Sequence, residues 1–572
     1  MRYEQYDLKQ DAERVLNYID GMTDRAYDYL PFWLVSPHKK PAEAEHCRVD
    51  DAELVGSWYE AVDSLRDILG EETGEIPTLA DGFRRRVLSS WGEHGLRFHE
   101  KYPWTHTMHS SFHEMGYILP ALNRMIRRDP QDAEAEKRAS ELVRGMRSLV
   151  IERKVRTFWS GDTLVDGPQY EFPNDVYLQE GGFDLSRFTG RGDQPIRNGV
   201  VLHALVDRYV LAGDEVALDL AKGLAKNLLT TAHYFNYKFE YFGHVHSTAW
   251  IAAGLLYLGR VTETESYIKA GKSIYDYTRS LSTDFGWVPE YAQWKPMEQE
   301  HCETCCIKDM ILCCEELIAC GYDSYWDDLN RYARNQLSEN QIKYTGYVVC
   351  DNTLPDGEGK TYRDLDKRLI GGYTGGSEPN SISLERFRSI AGCCVGTGPI
   401  ALGIIWKNVV TEQDGVLTVN VHTSKETDIY RLAHRMPDEG EITLELKKPT
   451  SRAGFRLYPW MGEDVTLLCN GEKATAVCEN GVLYAEGLAA GDVLTLVFPI
   501  ETVEKKETVG TNEYTVFWRG ADVVDLLPRG DHIRLYQRDL RLPKYYPRPE
   551  DVRYTGRANK GPTQLGAVAA KK

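Results

Sequence analysis

The chain has 572 residues, 42% hydrophobic and 27% charged, with a net charge of −18. That composition is globular rather than disordered, and the length exceeds what one hydrophobic core supports, so two or three domains are expected. The acidic balance argues against a nucleic-acid binder, whose affinity rests on neutralising phosphates. The amino terminus MRYEQYDLKQ has neither a basic nor an apolar leader segment, and no stretch approaches 18 apolar residues, so the expectation is a cytoplasmic protein without a membrane partner.

From about residue 10 to 410 the apolar spacing is helical. The segment from Asn198 to Leu229 shows one stripe at Val201, Leu205, Val206 and Tyr209 and a second at Val216, Leu220, Leu224 and Leu228, with Gly213 ending the first helix. The same helix-turn-helix shape turns near Asp129, Thr262 and Gly321. Serial α-hairpins at this spacing form either an open solenoid or a closed toroid. Long Gly-, Asn-, Tyr- and Trp-rich connections such as YEFPNDVYLQEGGFDLSRFTG suit a barrel whose loops build a pocket at one end. The expected fold is therefore mainly α, an (α/α)6 barrel over 1–410.

After Trp406 the pattern changes to short alternating runs, DGVLTVNVHT, GEITLELKK, DVTLLCNGEK and GDVLTLVFP, with Asn-Gly turn signals. This predicts a β-sandwich over 411–525. The stretch 526–572, rich in Pro, Arg and Tyr, is expected to wrap the body or fray.

Twelve cysteines in a chain expected to be cytosolic do not suggest a disulfide framework. Five lie between Cys302 and Cys314, and an adjacent pair is Cys393-Cys394, in what reads as a Gly-flanked loop. Cys313, Cys314 and Cys320 fall inside an amphipathic helix and read as core thiols. For the others three readings stand: buried thiols, a structural zinc on Cys302, Cys305, Cys393 and Cys394, or a mixed site of Glu303, Cys305, Cys393 and Cys394. Spacing alone does not separate the last two.

The string Glu303-Thr304-Cys305 leading into a long helix, then the Cys-Cys pair, then a sandwich resembles glycoside hydrolase family 127, the β-L-arabinofuranosidase-like group once called DUF1680. The resemblance spans roughly 100–525. It implies zinc held by Glu303, Cys305, Cys393 and Cys394, Cys393 as nucleophile, Glu290 of GWVPEYAQW as general acid/base, and His244 at a sugar-binding position. His246 is a companion candidate for substrate contact or core hydrogen bonding. Where the family commonly has prolines and Asn after the Cys-Cys pair, this chain has Val395-Gly396-Thr397-Gly398. The implied activity is a retaining, exo-acting hydrolase of small oligosaccharides or glycosides, for which the negative balance of the chain is no obstacle, and a homo-oligomer is compatible with it.

Retention needs a nucleophile at the anomeric carbon and an acid for the departing oxygen. Metal coordination would hold a thiol deprotonated and fix its direction. Glu298 and Glu300 are alternative acids. Among the other histidines, His106, His109 and His113 read as structural or sugar-contacting, and Gly396-Thr397-Gly398 follows no strand signal that would make it a nucleotide loop. The rival readings are another sugar-active α/α-barrel enzyme of epimerase or lyase type, and a non-catalytic sugar-binding protein with a structural zinc.

Overall fold

The computed structural model describes residues 2–552 apart from 48–50, 106–107, 155–156, 160–162, 166, 187–192, 293–300 and 383–389. Its helices are α1 (Leu8–Gly21), α2 (Asp51–Leu69), α3 (Ile76–Val87), α4 (Phe112–Arg128), α5 (Ala133–Leu149), α6 (Leu202–Ala212), α7 (Glu215–Leu229), α8 (Val245–Val261), α9 (Glu265–Ser280), α10 (Thr304–Ala319), α11 (Tyr325–Tyr332), the single turn α12 (Leu365–Arg368) and α13 (Gly392–Asn408).

Burial sorts them into two rings. Residues Val245–Gly259 of α8 are buried on every face, whereas α9 buries only the stripe Tyr267, Ala270, Gly271, Ile274, Tyr275 and Thr278. A helix buried all round belongs inside, and one with a single apolar stripe belongs outside. Packing closes the inner ring in the order α2, α4, α6, α8, α10, α13 and back to α2, with α3, α5, α7, α9 and α11 outside their predecessors and α1 against α13 and α2. This is the (α/α)6 barrel, a closed toroid and not a solenoid. The hairpin turns fall at Asp129, Gly213, Thr262 and Gly321, two of them glycines at φ 68 and 90. The sequence pattern traced four of the hairpins but did not single out α1, α2, α3 or α13, nor the small sheet of Thr23–Asp24, Leu30–Ser36, Glu43–His46, Lys360–Thr361 and Ile390–Ala391 beside them.

Helices α2 and α13 approach closely because their seam is built from small residues. A Cβ on Gly396 would lie 2.4 Å from Ser57 Oγ, and one on Gly403 would lie 2.8 Å from the Ser64 side chain. The Gly-Thr-Gly run is thus a packing device. Cys393 and Cys394 lie in the first turn of α13 rather than in a loop, because Ile390–Ala391 pairs with the Leu30–Ser36 strand and leads straight into the helix.

The barrel ends at Asn408 and strands begin at Val410. Five- and six-stranded sheets follow, then a three-stranded sheet of Thr502–Val509, Asn512–Arg519 and Asp522–Leu527. Two hairpins turn on Asn470-Gly471 and Asn480-Gly481, all four residues at positive φ, as the Asn-Gly turn requires. The carboxyl-terminal segment wraps back: Ile533–Arg534 pairs with Ser381–Ile382, and Tyr3 bridges to Asp539. No described helix is long and apolar enough to cross a membrane.

A buried clamp joins the last sheet to the barrel. Asp522 accepts from Arg334 Nη2 at 2.7 Å and from Arg538 Nη1 at 3.3 Å, and Arg334 and Asp522 are fully buried. Asn335, next along, bonds Ala521 O and Val523 N, each at 2.9 Å. Asp522→Ala would leave two buried guanidinium groups short of their counter-charge, so a loss of about 3–5 kcal/mol is expected, read as a lowered denaturation midpoint.

Candidate active site

Each of the first five inner helices is followed by an outer one that returns, and α1 supplies the outer partner beside α13, so the six inner helices point the same way and their amino termini share one end of the barrel. The sequence-selected residues are there. His244 is the N-cap of α8 and Glu303 the N-cap of α10, with Cys305 in its first turn and Cys393 and Cys394 in the first turn of α13. Helix amino termini carry partial positive charge and favour thiolates and carboxylates. Glu290 arrives on the loop before α10, held by its backbone: Val245 N donates to Glu290 O at 2.8 Å, and Glu290 N donates to His301 O at 3.1 Å. The adjoining pair Gly243–His244 and Tyr291–Ala292 forms a two-stranded ladder.

Two groups of side chains result. Cys305, Cys393 and Cys394 bring their sulfurs within 4.8 Å of one another, with Cys305 Sγ 3.4 Å from Cys394 Sγ and Cys393 Sγ 3.9 Å from Cys394 Sγ. His244, Glu290 and Glu303 form a second such group, in which His244 Nε2 lies 3.4 Å from Glu303 Oε2 and Glu290 is ion-paired to His301. Glu303, two residues before Cys305, therefore stands in the carboxylate–histidine group beside the three sulfurs. The structure offers the cysteine triad as a metal-binding group, and its charged neighbour Glu303 acts electrostatically on Cys305 and Cys394.

Electrostatics follow from burial. Burial pushes the Cys305 thiol well up. Cys393 is raised by its hydrogen bond to Cys305 and then by burial. For Cys394 the contact with Cys305 pulls downward, and the contact with Cys393 together with burial outweighs it. On their own the three groups are thus neutral thiols, and a cation among them would reverse that. Burial works against a charged His244, but the Glu303 carboxylate bonded to it wins and raises its pKa.

Cys302 lies outside the sulfur group. Its backbone bridges to Ser377, and burial pushes its thiol up to about 12. Cys306, Cys313 and Cys314 are fully buried core thiols. His246 is buried, with Nδ1 on Asp309 and Nε2 2.9 Å from the Tyr117 hydroxyl, so both nitrogens are engaged inside the protein. His109 stacks on His99 at 4.1 Å beside Glu114, and His113 pairs with Glu53 at 3.2 Å. Glu298, Glu300 and His106 lie outside the described residues.

Residues that the sequence reading passed over complete the site. Thr397 Oγ1 donates to Cys305 Sγ at 3.2 Å, His301 pairs with Glu290, and Glu53 from α2 acts electrostatically on Cys393. The Lys308-Asp309 pair inside the otherwise apolar run from Cys305 to Cys314 was a readable signal; an acid in a first helical turn, like Glu53, is too common to be one. Below the thiols, toward the other mouth of the barrel, lies an axial cavity of about 780 Å³, with Tyr117, Trp250, Lys308 and Thr397 at its inner end and Arg128, Arg260 and Lys407 among its outer lining.

No family model matches the chain, and no curated protein does. Solved structures do. A GH127 β-L-arabinofuranosidase from Geobacillus stearothermophilus T6 superposes with a TM-score of 0.59 at 14% identity, covering 91% of this chain and 86% of that one. A second GH127 β-arabinofuranosidase gives 0.58 at 14% identity, covering 91% and 84%, and another glycoside hydrolase 0.55 at 13%, covering 88% and 84%. The class is an (α/α)6 barrel followed by β-sandwich sheets. More closely, the chain has the fold of the GH127 enzymes, and at this identity the likeness establishes the fold.

Proposed function

We propose that the protein is a retaining glycoside hydrolase of β-L-arabinofuranosidase type, with zinc held by Glu303, Cys305, Cys393 and Cys394. The observation that carries the reading is the convergence of three sulfurs from two inner helices beside Glu303, Glu290 and His244 at one end of the barrel. Sulfurs bound tetrahedrally to zinc at about 2.3 Å stand about 3.8 Å apart. The separations of 3.4 and 3.9 Å fit that set, and soft thiolates with one carboxylate suit zinc. When bound, the ion would keep the thiols deprotonated near neutral pH.

In this reading the Cys393 thiolate attacks the anomeric carbon as the glycosidic C–O bond breaks, and Glu290 gives its proton to the departing oxygen. Glu290, now a carboxylate, takes a proton from the water that attacks the same carbon, and Cys393 leaves as thiolate. His301 Nε2 meets Glu290 Oε2 and so orients the carboxyl, and His244, fixed by Glu303 and Ser247, presents its ring to the sugar. Substrates are small arabinofuranosides or related oligosaccharides, and their screening with aryl and disaccharide furanosides and pyranosides tests the reading. No product from any of them would sink it.

The metal has its own check. Protein purified without added zinc is expected to carry close to one equivalent, and Cys302→Ser is expected to keep it, since Cys302 is outside the sulfur group. Cys305→Ser should lose most of it. Full metal content in Cys305→Ser, or loss in Cys302→Ser, would favour a different ligand set.

A further inference from the structure

Four buried ionisable side chains from three inner helices form one connected chain below the thiols. Lys308 Nζ is ion-paired with Asp309 Oδ1, Asp309 Oδ2 with His246 Nδ1, and His246 Nε2 lies 2.9 Å from the Tyr117 hydroxyl. Exposures are 3% for Lys308, 0% for Asp309, 4% for His246 and 1% for Tyr117. Burying such groups is costly even when they are paired, and apolar residues of similar volume fill a core more favourably. Lys308 and Asp309 stand in a helix whose other residues from Ile307 to Cys314 are Ile, Met, Leu and Cys. The chain asks for a role beyond packing.

Its protonation logic follows from the partners. Lys308 lies 4.1 Å over the Trp250 ring and balances the charge of Asp309. The Asp309 carboxylate then accepts the hydrogen bond from His246 Nδ1–H, which leaves Nε2 as an acceptor for the Tyr117 O–H. The phenol direction is thereby fixed, with the oxygen lone pairs turned away from His246. Its other neighbours belong to the site: Glu53, Cys305 and Cys393 act on it electrostatically, after burial, to raise its pKa. Thr397, bonded to Cys305 Sγ and to Cys393 O, shares with Tyr117 the inner end of the axial cavity.

We propose that Asp309 and His246 are positioning residues that hold the Tyr117 hydroxyl in one orientation beneath the thiol cluster, with Lys308 as the counter-charge that ends the chain toward the axial cavity. The proposal rests on the glycosidase reading for its kinetic effect, and it reassigns His246 from sugar contact to support. A phenol so held offers the reacting centre one fixed acceptor. Loss of Tyr117 or of Asp309 removes that single oriented hydrogen bond, not two.

Tyr117→Phe and Asp309→Asn are each expected to lower kcat about 10-fold, one hydrogen bond in magnitude, with KM and metal content unchanged. The double variant should also lose about 10-fold, because coupled residues are not additive. A loss of about 100-fold in the double variant, or wild-type kcat in Tyr117→Phe, would overturn the proposal. Should Asp309→Asn not fold, His246→Gln takes its place in the cycle with the same expectation. A readout independent of turnover separates this from failure of the glycosidase reading: the ring ¹⁵N shifts of His246 should report a single Nδ1–H tautomer in the wild-type protein. Mixed tautomers there would overturn the positioning chain even in an active enzyme, and a single tautomer in a protein that cleaves no glycoside would support the chain while sinking the activity.

Discussion

Cys393→Ser is expected to abolish turnover, with kcat down on the order of 10⁴-fold or more, as when a catalytic nucleophile is removed. A serine hydroxyl cannot be ionised near neutral pH as a coordinated thiol is, and it is the poorer zinc ligand. Cys393 is partly exposed where Cys305 and Cys394 are fully buried, which favours it as the sulfur of the three for a substrate to reach. Metal loss alone could silence the variant, so the nucleophile needs a second observation. A halo-acetamide sugar should label Cys393 in the wild-type protein, with peptide mapping to locate the adduct. Retention of kcat within 10-fold of wild type, or labelling confined to Cys302 or Cys306, would remove Cys393 from the role.

The second large effect is expected at Glu290. Glu290→Gln preserves size and the backbone bonds to Val245 and His301 while removing the transferable proton. An acid matters when the leaving group is poor, so kcat on a disaccharide should fall roughly 10²–10⁴-fold, and the glycosylation step on an activated nitrophenyl glycoside should fall much less. Zinc content should stay constant, since Glu290 is not among the proposed ligands. Equal losses on both substrates together with loss of metal would make Glu290 a structural residue of the His244–Glu303 group. Glu298 and Glu300 would then be the acids to test.

Much of the architecture was legible because it follows from periodicity. Stripes such as Val216, Leu220, Leu224 and Leu228 need only a 3.6-residue repeat to be seen, and Gly213 and Gly321 mark turns because left-handed backbone favours glycine. The Asn-Gly hairpins of the sandwich announce themselves for the same reason. Closure of the barrel was less legible: α2 packs against α13 from opposite ends of the barrel sequence, and no local pattern encodes a contact of that separation. The glycines around Cys393-Cys394 read as flanking a loop because what Gly396 requires is set by Ser57 of α2, which is remote in sequence.

The site divides along the same line. By itself the sequence determined which candidate donors the chain carries, since Glu303-Thr304-Cys305 and Cys393-Cys394 are local motifs whose donor types are fixed by covalent structure. Only the tertiary structure decided which of those donors meet. It set three sulfurs together, placed Glu303 with His244 and Glu290, left Cys302 apart, and turned His246 inward onto Asp309 and Tyr117. The physical reason is that the sulfur–sulfur and hydrogen-bonding separations, of about 3–4 Å, are fixed by how helices pack across the barrel axis, and that packing is a property of six helices at once.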